Sequence, residues 1–321
     1  MKVKMRNLIP FLVSLAILAV LVYNTNIGQV AAIIASADMS YILLGIIATV
    51  SIMLLRAVRW KMFLDAYRLK IKFIDIASSF LASQFLANFT PGRVGEASRP
   101  YFLKKRYKVS FFHLLPPVIV ERFLDLIVLL ILSAIFFIAY SSFASNVLKV
   151  VLVLTAVILI VLILVILKKA VAMKLMGLFF KTFSFIKAVR KLKPKINKIA
   201  SNFFKGVGTL KFARLGPITA ITFLTWILES AILYFSVLAL VPGANISFIY
   251  AIGFLCLAML GGVVSSLPGG IGSVEAILFA FFLLMHLSAP LSLSIVILYR
   301  FVSFFISTIF FTIFFIREAR A

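Results

Sequence analysis

The chain is poor in the residues that soluble enzymes use for chemistry. Of its 321 residues, nine are acidic, two are histidine and one is cysteine. The single cysteine, Cys256, lies in an apolar run, so it offers neither a disulfide framework nor metal-ligand spacing. An Asp-rich metal motif, a histidine pair, a nucleotide-binding glycine loop and an evident nucleophile are all missing. No catalytic residue, metal or cofactor is therefore expected. What fills the chain instead is apolar: 64% of it is hydrophobic, with 34 phenylalanines, and mean hydropathy is +1.20. Long apolar runs in such a composition imply an all-α polytopic membrane protein. Helices that share one bilayer make a single membrane domain over residues 1–321 the natural division.

The scarcity of acid leaves a net charge of +24. Most Lys and Arg flank apolar runs, which is the positive-inside signature and not a nucleic-acid surface. Attraction to anionic membrane lipids follows from the same charge. Runs able to span are 8–24, 40–60, 114–140, 147–167, 215–241 and 291–316. The only A-x-A-like site, Ala35 to Ala37, lies well past the first run, so residues 8–24 read as a retained span. With the broken regions described next, about 6–8 transmembrane helices are expected.

Two further runs are awkward. Residues 77–90 are too short to cross comfortably, and 247–287 are interrupted by "GGVVSSLPGGIGS". Basic residues resolve the first case. Stretches 56–72 and 93–108 each carry six Lys or Arg, so both ends of 77–90 read as cytoplasmic. The segment then enters the membrane and returns, with "TPGRVG" at its tip. The second region starts and finishes outside, as a re-entrant hairpin or as two full spans. The same count places both termini in the cytoplasm.

The two breaks resemble each other. Pro91 to Ala97 reads P-G-R-V-G-E-A, and Pro268 to Ala276 reads P-G-G-I-G-S-V-E-A. Pro91, Gly92 and Gly95 form the first tip; Pro268, Gly269, Gly270 and Gly272 form the second. Arg122 follows Pro91 by 31 residues and Arg300 follows Pro268 by 32. By charge count, the spans carrying these arginines run in opposite directions. Two inverted halves, about 8–167 and 215–316, each with a broken element, are the pattern of a secondary transporter. Between them, residues 168–214 carry thirteen basic and no acidic residues. That segment reads as an amphipathic helix on the cytoplasmic leaflet or as a long positive-inside loop.

Charges inside apolar runs are costly and mark function by default. Five of the nine acids qualify: Glu96, Glu121, Asp125, Glu229 and Glu275. Candidate partners are Arg93, Arg99, Arg122 and Arg300. Glu121 and Asp125 are i,i+4 and share a helix face, while Arg122 points about 100° away. They form the wall of a polar cavity or a helix-locking network. Glu229 lies one turn from Trp226 and is read either as a proton-coupling group or as half of a buried pair with an arginine. Free N–H groups at helices starting from the tips suit phosphate, and Arg93 adds charge to the first. His113 and His286 read as interface residues. Asp38, Asp65, Asp75 and Glu318 read as solvated.

"PGRVGEASRPYFL", "ERFLDLIVLL", "WILE", "SLPGGIGSVEA" and a late intramembrane arginine occur in order over about 8–316. Together they resemble the flippase-like transmembrane region of lysylphosphatidylglycerol synthases. The resemblance implies re-entrant helices and lipid movement between leaflets, and marks the nine charged residues above as the polar signature. The synthases carry a soluble aminoacyl-transfer domain after this region, whereas this chain ends at Ala321, so lysyl transfer is not implied. A separately encoded lipid-modifying enzyme is then an expected partner. The leading expectation is a flippase or transporter for a phosphate-bearing, aminoacylated or glycosylated lipid headgroup. A membrane scaffold or assembly factor and an intramembrane transferase are the rival readings.

Overall fold

A computed structural model describes residues 9–23, 25–66, 69–109, 111–139, 168–182, 212–244 and 246–320, with isolated positions between 157 and 164. The expected span 147–167 and most of the basic segment fall outside the described residues, as do both extreme termini. The described secondary structure is helical throughout. Five helices are long and apolar enough to cross a membrane, or six if a bent pair at the start counts as one. That pair is α1 (Ile9–Tyr23) and α2 (Ile27–Ala35), bent by 86°; Asn26 caps α2 by accepting from the Gln29 amide.

The first half continues with α3 (Met39–Ala66), α4 (Phe73–Asn88), a tight turn over Pro91–Ser98, α5 (Arg99–Tyr107) and α6 (Phe111–Ala139). The short basic helix α7 (Lys169–Thr182) follows. The second half repeats the order: α8 (Phe212–Leu240), α9 (Phe248–Ser265), a turn at Pro268–Gly270, α10 (Ser273–Leu284) and α11 (Ala289–Arg300). The last expected span, 291–316, is one long helix interrupted by a π turn at Phe301–Phe305, after which α12 (Ile306–Arg320) completes it. At about 1.5 Å per residue, α4 and α10 reach roughly 24 and 18 Å, short of a bilayer core of roughly 30 Å.

Packing shows how the halves relate. The corresponding helices α3 and α8 lie against each other. The start of α3 meets the end of α8, where the Asp38 amide donates to the Ala239 carbonyl at 2.8 Å. Further along, Arg59 reaches back to Thr222 at 3.0 Å. The equivalent helices are therefore antiparallel, as inverted halves require. The exchange is reciprocal: α4 packs on α12 of the second half, and α9 packs on α6 of the first. The two turns meet between them, where the Gly92 amide donates to the Ser266 carbonyl at 3.2 Å.

The outward faces are apolar. On α3, Leu43, Ile47, Val50, Leu54 and Val58 are exposed at helical spacing, and on α12 so are Ile309, Phe310, Ile313 and Ile316. In water such stripes would drive association; in a bilayer they are the lipid face. Lipid removes most of the hydrophobic drive between helices, so close packing and polar contacts must hold them. Gly95 illustrates the closeness. A Cβ there would lie 2.3 Å from the Leu86 backbone, so only glycine lets the first turn fold back on α4.

Two acids read as solvated are not. Glu318 is buried, accepts from the Ser78 hydroxyl at 2.5 Å and pairs with Arg106 at 3.5 Å. Asp75 pairs with Arg106 and accepts from the Tyr107 hydroxyl at 2.6 Å. The reason is the folding back of α5, which brings its basic end over α4 and the end of α12. Asp65 pairs with Lys61 on the exposed end of α3, and Asp38 accepts from the Ser40 amide at the start of α3. His286 is exposed in the turn after α10, and the His113 side chain lies outside the described residues.

Candidate functional site between the two turns

The first turn exists because Pro91 starts it and Gly92 and Arg93 take the left-handed conformation, with φ of 59° and 56°. Glycine does so freely, whereas for arginine it costs on the order of 1–2 kcal/mol. Strain held by a charged residue at a chain reversal points to function. The conformation turns Arg93 to donate to Glu96 at 2.9 Å and to the Gln84 side-chain carbonyl at 2.6 Å.

Glu96 opens a closed circuit of alternating charge. Its Oε2 is 2.9 Å from Arg122 and 3.4 Å from Arg99. Arg122 continues to Asp125 at 2.7 Å. Asp125 accepts from Arg59 at 2.7 Å and from the Trp226 indole at 3.3 Å. Arg59 pairs with Glu121, and Glu121 pairs with Arg99, which closes the ring at Glu96. Arg59, Arg99 and Glu121 are fully buried. Arg99 also lies over the Phe80 and Trp60 rings, 4.5 and 5.4 Å from their centroids. Three arginines balance three carboxylates in the ring, and Arg93 is attached outside it.

The i,i+4 carboxylates do share a face, and their shared cation is Arg59 of α3. Arg122, although turned away, still reaches Asp125 by folding along its own helix. Glu229 is half of an arginine pair: Arg56 lies 3.4 Å away, and the Tyr299 hydroxyl donates to it at 3.4 Å.

The second turn repeats the plan with fewer charges. Glu275 accepts from the Gly272 amide at 2.8 Å, fixing the start of α10, and pairs with Arg300 at 2.8 Å. Arg300 also donates to the Gly270 carbonyl at 3.2 Å. In both halves, then, the glutamate after the Pro-Gly turn pairs with the arginine of the following long helix. Gly269, with φ of 61°, approaches Asn88 of the first half, where a Cβ would lie 3.2 Å from the Asn88 carbonyl.

All nine charged residues singled out from the sequence lie in these clusters. Two that belong with them, Arg56 and Arg59, lie by sequence in the basic flank 56–72. The arithmetic of charge could have found them: four candidate arginines cannot pair five carboxylates. Together the clusters hold six arginines and five carboxylates, leaving one positive charge.

Two cavities adjoin the turns. One, of about 210 Å³, lies between them and is lined by Arg93, Arg122, Asp125 and the apolar side chains of Leu126, Leu129, Met259 and Leu267. The other, of about 80 Å³, is bounded by Arg56, Gln84, Asn88, Glu229, Tyr299 and Arg300. Arg93, Trp226, Met259 and Gly269 border both. The side chains of Arg93 and Arg122 are 37% and 33% exposed, whereas those of Arg59 and Arg99 are fully buried.

Comparison with known proteins agrees with this architecture. A UPF0104 membrane protein of Pyrococcus horikoshii is 26% identical over 322 residues, covering 95% of each chain. A UPF0104 membrane protein of Methanocaldococcus jannaschii is 28% identical over 224 residues, covering 69% of this chain and 88% of that one. A phosphatidylglycerol lysyltransferase of Staphylococcus epidermidis is 31% identical over 88 residues, which is 27% of this chain and 10% of that protein. Residues 7–310 match the lysylphosphatidylglycerol synthase TM region, and this multi-pass membrane protein belongs to that family.

Proposed function

We propose that the protein moves a phosphate-bearing lipid headgroup between the leaflets of the plasma membrane. The observation that carries this reading is Arg93. It is the surplus cation of the charge clusters, held in a strained conformation where the two turns touch, and it opens into the cavity between them. A phosphodiester carries one negative charge and would balance the one positive charge left over. Arg93 and Arg122 offer it guanidinium donors, which suit phosphate oxygens. Leu126, Leu129, Met259 and Leu267 supply an apolar wall along which acyl chains remain in lipid.

In this reading both turns are re-entrant tips, entering from opposite faces with the termini in the cytoplasm. The antiparallel halves rock about the α3–α8 contact, exposing the headgroup first to one side and then to the other. No covalent step is assigned to any residue. A lipid-modifying enzyme on a separate chain would supply or consume the cargo.

The closed ring favours a second reading, a scaffold whose charges lock helices. Reconstitution separates the two. Liposomes carrying fluorescent phosphatidylglycerol are assayed for movement by quenching of the outer leaflet. Wild type is expected to expose the inner pool, and folded, monodisperse Arg93→Gln to lose that activity. Movement no faster than in empty liposomes would favour the scaffold, and equal movement by both proteins would remove Arg93 from the mechanism.

A further inference from the structure

The smaller cavity holds a clue to the headgroup, resting on the reading above. Its charged residues leave a surplus positive charge and no free carboxylate. Arg56 pairs with Glu229, Arg300 with Glu275, and Arg93 with Glu96. No carboxylate of the two clusters is without an arginine, so an ammonium group arriving there would be desolvated without a counter-charge, which is strongly unfavourable. The neutral groups are different. Gln84 gives its carbonyl oxygen to Arg93, and its amide N–H groups have no protein acceptor among the described residues. Asn88 donates to Thr308 at 2.9 Å, while its carbonyl oxygen accepts from no described side chain. Both side chains are nearly fully buried and border the cavity.

Size narrows the choice. A water requires about 10–15 Å³ of cavity volume in this measure. The cavity of about 80 Å³ therefore has room for several waters, or for one small polyol in their place. Because Arg93, Trp226, Met259 and Gly269 border both cavities, the smaller one lies within reach of the substituent of a phosphate held beside Arg93.

We infer that the cargo is a phosphodiester lipid whose headgroup ends in a small neutral polyol of about glycerol size, and not in a cationic aminoacyl group. Gln84 and Asn88 are the specificity-determining residues. Gln84 donates to a hydroxyl oxygen, and Asn88 accepts from a hydroxyl.

Native mass spectrometry of the full chain tests this with three lipids of identical acyl chains: phosphatidylglycerol, lysyl-phosphatidylglycerol and phosphatidic acid. Wild type is expected to retain phosphatidylglycerol over the lysyl lipid by more than about tenfold. Asn88→Leu, which leaves the contact of Gln84 with Arg93 in place, is expected to lower retention of phosphatidylglycerol about three- to tenfold and that of phosphatidic acid much less. Arg93→Gln is expected to weaken all three. If the lysyl lipid binds wild type as well as phosphatidylglycerol while Arg93→Gln still weakens both, the headgroup assignment falls and the phosphate site stands. If Arg93→Gln changes nothing, the phosphate site and the headgroup assignment fall together. The wild-type ranking requires no variant to fold.

Discussion

The two Pro-Gly turns share a backbone plan but not a charge. Each places a glutamate to pair with an arginine on the next long helix, Glu96 with Arg122 and Glu275 with Arg300. Around the first pair stand Arg59, Arg93, Arg99, Glu121 and Asp125; around the second there is little beyond the Gly270 carbonyl and the Phe304 ring. Gly270 stands where the first turn has Arg93. One half has kept the reversal and its latch, while the other has added a closed ring and one extra cation. The difference teaches that the repeated pair is the mechanical part of the design. The unrepeated charges are what the proposed headgroup site draws on.

The largest break in that comparison should come from the ring. Glu121→Leu would leave Arg59 and Arg99 buried with too little counter-charge, at a cost of about 3–5 kcal/mol. Fluorescence-detected size exclusion should show most of the protein lost or aggregated. The equivalent loss at the second turn should be milder. Glu275→Gln keeps the hydrogen-bonding shape around α10 and leaves Arg300 its carbonyl contact, so about 1–3 kcal/mol is expected. A thermal shift matching that of Glu121→Leu would contradict the asymmetry.

Exchange at the turns sharpens the contrast. Gly270→Ala should cost on the order of 1–2 kcal/mol, because φ is 66° there. Arg93→Gly should relieve strain of similar size and give up an ion pair of about 0–1 kcal/mol, its arginine being partly exposed. Its melting temperature should therefore hold or rise slightly while lipid movement in liposomes is lost. A variant that melts early would mark Arg93 as structural. The smallest effect on lipid movement is expected away from both turns. Ser78→Ala removes the hydroxyl that Glu318 accepts from, at about 1–2 kcal/mol. It should lower thermal stability without changing lipid preference.

How much of this was legible in the sequence differs from residue to residue. Glu96, Arg122, Glu275 and Arg300 are readable because Pro and Gly anchor the register of both halves, and spacing carries it to the arginines. Arg59 is not readable the same way. Two residues from Lys61, it is indistinguishable from a cytoplasmic flank, and only packing of α3 against α6 and α8 draws it inward. Glu318 is missed for a related reason: a charge near a helix end reads as solvated until another helix covers it. The long final run hides its π turn, since every residue of Phe301–Phe305 suits an ordinary helix equally well. The helix count and the broken elements follow from hydropathy, whereas the partner of each carboxylate depends on contacts between distant segments.

The antiparallel contact of α3 with α8 has a consequence for descent. The surface that α3 offers α8 corresponds, by the repeat, to the surface that α8 offers α3. A contact of that kind is isologous, the type made between two copies of one subunit related by a two-fold axis. A half-length polypeptide inserted in both orientations would assemble the same plan as a homodimer. Joining the copies in one chain fixes one molecule of each orientation per assembly, and it frees the two turns to diverge. A ring of charge on one side only, with a bare glycine facing it, is a form that no symmetric dimer of identical chains could take.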